Sequence, residues 1–191
     1  MYIEWGLVHL TDPESYEIIS EEQGLADDEI LRKEIYTWTV TYRETLEKSA
    51  VDFICKKLKD TVDDPFGYFY LMPKLHKNKT PMPTRPVCSD CASTPHALGQ
   101  WVDEMLQPMV KIQHTYFQNS FALKSELDKL KLPPNASCFT YDAVSMYTKI
   151  DPHELLTRMT VYLFDAELRK QFTHYSPAAL INAIKLVMFN N

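Results

Sequence analysis

Between Asp27 and Asp60 the apolar residues Ile30, Leu31, Ile35, Trp38, Tyr42, Leu46, Phe53, Ile54 and Leu58 return at three- and four-residue steps. That period lays them along one stripe of an α-helix, and such a stripe must be buried against other elements to be stable. Asp27 or Asp28 is the expected cap. Lys56, Lys57 and Lys59 fall in the last turn, where the helix dipole favours cations. The length predicts a bend or two helices. With 45% hydrophobic and 12% aromatic residues, the 191-residue chain carries enough apolar surface for a sizeable core. It suits one domain, or a large domain lacking a piece.

Helical signals continue downstream. Residues 94–112 have Ser93 or Thr94 as candidate caps, Pro95 in the first turn, and an apolar face of Leu98, Trp101, Val102, Met105, Leu106 and Met109. Pro108 predicts a kink or an end. A further helix is expected after Ser120, with Phe121, Leu123, Leu127 and Leu130 facing inward, broken by Pro133-Pro134-Asn135. Asp151-Pro-His-Glu154 has the pattern of a capping box, opening a helix with Leu155, Leu156, Met159, Tyr162 and Leu163. Ser176-Pro177 opens a last helix with Leu180, Ile181, Ile184, Val187 and Met188. Near the start, Tyr2-Ile3 and Leu7-Val8-His9-Leu10 suggest a strand or an extended arm, and Thr11-Asp12-Pro13-Glu14 a helix start.

Residues 66–91 differ in character. Phe66-Gly-Tyr-Phe-Tyr-Leu-Met72 and Thr84-Arg85-Pro86-Val87-Cys88-Ser89 read as strands around a basic, proline-punctuated connection. Together they predict a β-hairpin with a long tip. The formal charge of the chain is −6, yet residues 1–47 hold twelve acids against three bases, while residues 68–89 hold Lys74, Lys77, Lys79 and Arg85 and no acid. Screening limits the reach of distant acids, so a local basic tip can still meet phosphate. A solvated loop with a few lysines is the plainer alternative.

The second informative stretch is Cys138-Phe-Thr-Tyr-Asp142-Ala-Val-Ser-Met-Tyr147-Thr-Lys-Ile150. It predicts a short strand over 138–142, with Phe139 and Tyr141 on one side and Thr140 and Asp142 on the other. A carboxylate at the end of an apolar strand is costly unless it meets water, a cation or a donor. An acid that merely ends a strand and caps the next turn is the plainer alternative here.

Other chemistries have little support. Only four glycines occur, which leaves almost no room for a Gly-rich phosphate loop, and no Gly-x-Ser-x-Gly elbow is present. Cys88-Ser-Asp-Cys91 has the spacing of a zinc half-site, with His96 nearby, but a full site needs further ligands. No hydrophobic run approaches a membrane span. The first residues lack the basic start and apolar body of a signal peptide. The four cysteines therefore read as reduced thiols of an intracellular protein.

Three stretches together resemble one family, the reverse transcriptases of Penelope-like retroelements. Tyr70-Leu-Met-Pro73-Lys74-Leu-His76-Lys77 with Thr84-Arg85-Pro86-Val87 resembles their fingers, and Ala97-Leu-Gly-Gln-Trp101-Val-Asp103 with Leu106-Gln107-Pro108-Met-Val110 is similar to the helix that follows. Phe139-Thr-Tyr-Asp142-Ala-Val-Ser-Met-Tyr147-Thr-Lys-Ile150 resembles the first catalytic motif, with Ala143 and Lys149 departing from the usual residues. The likeness is specific over about residues 66–155.

The resemblance implies an α+β fold: a mostly helical fragment with a fingers β-hairpin and an incomplete palm sheet of the right-hand polymerase fold. Its expected divisions are an N-terminal helical region over 1–65, fingers over 66–137 and a partial palm over 138–191. It implies an RNA-directed DNA polymerase that adds deoxynucleoside triphosphates to a DNA primer on an RNA template. Catalysis would use two Mg2+ ions held by carboxylate and phosphate oxygens. By the same resemblance Asp142 and the carbonyl of Ala143 would be metal ligands. Arg85 and Lys74 would hold the triphosphate, Tyr147 would lie under the incoming sugar, and Lys77 and Lys79 would touch phosphate or template backbone. The later Tyr-x-Asp-Asp motif does not occur in these 191 residues. The expectation is therefore a truncated domain, inactive alone, with the other palm half supplied by another segment. A non-catalytic nucleic-acid-binding module and a helical protein-interaction domain are the alternatives.

Overall fold

The computed structural model describes residues 13, 16–61, 63, 65–75, 84–143 and 146–189, leaving aside the side chains of Tyr147 and Thr148. The expected strand or arm at 2–10, and all of the Thr11–Glu14 helix start except Pro13, lie outside that set. In chain order the elements are α1 (Glu21–Thr41), a 3-10 turn (Arg43–Thr45), α2 (Lys48–Asp60), β1 (Tyr68–Pro73), β2 (Thr84–Ser89), α3 (His96–Lys111), α4 (Ser120–Lys129), α5 (Met146–Lys149), α6 (Pro152–Leu163), α7 (Ala166–Gln171) and α8 (Pro177–Phe189). The architecture is α+β and mostly helical, with one two-stranded sheet among the described residues.

The long periodic stretch is two helices, α1 and α2, as its length predicts, but α1 begins earlier than Asp27. Ser20 is its cap, accepting from the Gln23 amide at 3.1 Å, and Glu21 and Glu22 occupy the first turn. A hydroxyl cap with two acids at the positive end of the dipole outweighs the weak helix propensity of Gly24. Asp27 and Asp28 instead bond side chains one turn away on the same helix, Gln23 and Arg32.

Helix α8 is the hub. It packs against α1, α3 and α6, while α2 packs on α1 and α3. Ala179 and Ala183 are fully buried on α8, so neighbouring helices approach its backbone closely. Leu180 and Ile184 fill the space between with Ile35, Trp38, Leu98, Trp101 and Leu163. Each such side chain contributes about 1.5–3 kcal/mol by leaving water. Trp38 meets Trp101 edge-on at 5.0 Å between centroids, and its indole N–H donates to the Ala179 carbonyl at 2.9 Å. A buried indole thus keeps a partner.

Arg32 joins three elements. Its guanidinium donates to Asp28, to the Leu58 carbonyl, to the Thr61 carbonyl (2.6 Å) and to the Thr94 hydroxyl (2.8 Å). The fork thereby satisfies a carbonyl in the last turn of α2 and holds the entry to α3. Thr94 and Ser93 are consequently not caps of α3: no described side chain caps that helix, and the Ser93 hydroxyl donates to the Asp90 carbonyl. Pro108 sits inside α3, which continues to Lys111. Asp151 does cap α6, accepting from the amides of His153 (2.8 Å) and Glu154 (3.4 Å). The Glu154 carboxylate pairs with Arg158.

Two further expectations fail. Residues 138–142 form no strand and are exposed, with Phe139 at 80% and Tyr141 at 90% of their full accessibility. The two rings do lie on one side of the chain, stacked at 6.3 Å, as alternation predicts. What is missing is a neighbour: an extended segment becomes a strand only by pairing, and none of the described residues pairs with it. No palm sheet is present among the described residues. Helix α4 does form, capped by Asn119, but Phe121, Leu123, Leu127 and Leu130 point outward rather than into the core.

Candidate nucleic-acid interface

The hairpin forms where the sequence places it. Strands β1 and β2 are antiparallel in the register Tyr68–Ser89, Tyr70–Val87 and Met72–Arg85 on one face, and Phe69–Cys88, Leu71–Pro86 and Pro73–Thr84 on the other. Gly67 is required at its base, because a Cβ there would come within 2.5 Å of the Ser89 carbonyl oxygen. One face is not sealed by a second layer: Tyr68, Tyr70 and Met72 remain exposed, while Phe69 and Leu71 on the other face are half-buried.

The register decides which basic residues can act together. Arg85 is exposed and lies directly across from Met72. Lys74 is half-buried and follows Pro73, two residues beyond Met72. Diagonal neighbours of this kind stand about 7–8 Å apart, within reach of one phosphate for two long side chains. Lys77 and Lys79 lie outside the described residues.

Asp142 and Ala143 are exposed, in a stretch before α5 that pairs with none of the described residues. Tyr147 belongs by its backbone to α5. The described residues do not meet what a divalent metal asks. Asp142 is a single exposed carboxylate, and no three potential metal-binding side chains (His, Cys, Asp or Glu) converge among the described residues. The same holds for the Cys88–Cys91 half-site. Both thiols are exposed and unlinked, and the His96 imidazole faces Asp90 at 3.5 Å instead.

Among the cavities that the described residues form, three lie against the helical body. One, of about 500 Å3, runs between α1 and α8 beside Trp38 and Phe189. A second, of about 360 Å3, is lined by Asp90, His96, Gly99, Gln100, Asp103 and Glu104. The third, of about 530 Å3, lies between the start of α2, the middle of α3 and the α7–α8 connection. Tyr175 forms part of its wall and donates to the Leu163 carbonyl at 3.2 Å. Burial holds its hydroxyl pKa above the ordinary tyrosine value, against the opposing charge of Arg169.

Sequence reasoning missed this third cavity and the Arg32 hub. Their residues come from elements far apart in the chain, and periodicity marks Trp101 only as core. No family model matches the chain, and no curated protein or solved structure matches it.

Proposed function

We propose that residues 66–155 are the fingers and first catalytic segment of an RNA-directed DNA polymerase of the Penelope-like type. In this reading the present chain grips nucleic acid without extending it. The observation that carries the reading is the hairpin register. It sets Arg85 directly across from Met72, and Lys74 follows two residues later at the tip end of a sheet that exposes Tyr68 and Tyr70. A planar guanidinium and a flexible ammonium side by side suit the oxygens of a phosphate chain. The ring faces of Tyr68 and Tyr70 suit stacked bases.

Asp142 is the candidate reacting-centre residue. Its exposure leaves it accessible to a cation and to solvent. Mg2+ is implied by the family, but the described donors do not make a site for it, so no metal-dependent step is assigned to this chain. Phosphoryl transfer depends mostly on positioning and charge neutralisation, and one exposed carboxylate supplies little of either.

The test is salt-dependent RNA binding with primer extension as companion. The intact chain should bind single-stranded RNA. Lys74→Ala with Arg85→Ala should weaken it about tenfold and flatten the salt dependence by about one to two counterions. Unchanged affinity would remove the phosphate grip and favour a helical protein-interaction role. Measurable primer extension with Mg2+ would overturn the claim that the chain is inactive alone.

A further inference from the structure

The cavity beside Trp101 has a lining unlike that of the hairpin. Its inner wall is apolar and aromatic: Trp101 and Tyr175 are buried, and Phe53 leans in half-open from α2. Its rim carries the carboxylates of Glu47 and Glu104 and the imidazole of His174. No lysine or arginine is among its described lining residues. The His174 ring meets Tyr175 edge-on at 6.1 Å, which continues the aromatic wall toward the mouth.

Charge and shape point the same way. Glu47 stands at the cap position of α2 and accepts a long contact from the Ser49 hydroxyl at 3.4 Å. Glu104 forms no ion pair among the described residues, and it also lines the adjoining cavity with Asp90 and Asp103. The two rim carboxylates bias the mouth toward negative potential, while the cation felt by the wall, Arg169, lies outside the lining and acts on Tyr175. An anion would be repelled, and a neutral apolar molecule would leave the carboxylates unused. A cation with an apolar shell uses both parts: π faces attract it, and the rim carboxylates add Coulomb attraction. A volume of about 530 Å3 is ample for a small organic molecule.

We propose that this cavity is a binding site for an organic cation of the substituted-ammonium class, held against Trp101, Tyr175 and Phe53 with Glu47 and Glu104 at the mouth. The site is separate from the hairpin and does not depend on the nucleic-acid reading.

The probe is choline, titrated into the full chain at constant ionic strength. The indole resonance of Trp101 and the resonances of Tyr175 are followed by NMR. The expected result is saturable movement of both. The uncharged alcohol in which carbon replaces the choline nitrogen should bind about tenfold more weakly, because it keeps the shape and loses the charge. Glu104→Gln with Glu47→Gln should weaken choline about fivefold. Both side chains are exposed, so folding should survive, as an unchanged far-ultraviolet circular dichroism spectrum would verify. Absence of saturable movement overturns the proposal. So does equal affinity for the uncharged alcohol, or unchanged affinity in the double variant. A peptide carrying trimethyllysine separates the two sources of the cation. Tighter binding of the peptide assigns the cavity to side-chain capture, and tighter binding of choline assigns it to a free metabolite.

Discussion

The helical body and residues 116–143 obey the same local rules and end in opposite environments. In the body, α1, α3, α6 and α8 turn their apolar stripes toward one another and bury Ile35, Leu98, Leu163 and Leu180 completely. In the segment, α4 has a side-chain cap at Asn119 and the ion pairs Lys124–Asp128 and Glu126–Lys129. Its large apolar residues nevertheless face outward, as do Leu132, Phe139 and Tyr141 beyond it. Caps and surface pairs select a helical conformation at a few tenths of a kcal/mol to about 1 kcal/mol each. They do not replace packing: a ten-residue helix alone is marginal in water. The difference shows that periodicity marks a face that can be buried, and topology decides whether anything lies against it.

The sharpest way to break this comparison is a matched pair of truncations. Leu180→Ala should destabilise the chain by about 2–5 kcal/mol, since a fully buried leucine leaves a cavity as well as losing its transfer energy. Leu127→Ala should cost less than about 0.5 kcal/mol. Urea unfolding of both variants measures the contrast, and similar losses would mean that α4 is packed after all. Hydrogen exchange should agree, with the α4 amides exchanging well before those of α8.

Next in size is Arg32→Ala, expected to cost about 2–3 kcal/mol. It strands the carbonyls of Leu58 and Thr61 and leaves the mostly buried Asp28 without its cation. A loss as small as that from Lys33→Ala, whose exposed pair with Glu29 is fully solvated, would show that the three-way junction contributes nothing beyond a surface ion pair.

The smallest effect sharpens the comparison through pH. The Tyr175 pKa is raised on folding, so its stabilising effect is complete below the unfolded tyrosine value of about 10 and is lost as pH rises through the folded value. Thermal unfolding should therefore fall more steeply in alkali for the wild type than for Tyr175→Phe. Ultraviolet titration should find the Tyr175 phenolate appearing after the ordinary tyrosine range. Coincident alkaline profiles for the two proteins would show that burial does not hold the phenol neutral.

Particular residues show how much was legible beforehand. Asp151 and the Pro152 start of α6 follow from four consecutive residues, and the structure has them as expected. The hairpin follows from two aromatic or β-branched runs with turn residues between. Asp27 and Asp28 look like caps of α1, but Ser20 with two following acids is the stronger signal and the structure uses it. The N-terminal signal Asp165-Ala-Glu167 went unread, although Asp165 caps α7 by the same mechanism as Asp151. For the candidate site, Arg85 and Lys74 are identifiable as basic residues of a hairpin, but only the register sets Arg85 across from Met72, two residues before Lys74.

The amino-acid sequence alone determined the local choices: which stretches are helical, that Asp151 caps α6, and that residues 68–73 and 84–89 are strands. These depend on interactions within a few residues, whose spacing the chain itself carries. The tertiary structure decided which apolar faces are covered, that residues 138–142 have no strand partner among the described residues, and that Glu47, Trp101, Glu104 and Tyr175 share one cavity. Those outcomes depend on contacts between distant segments. Burial and charge proximity are properties of three-dimensional neighbours, which no local period records.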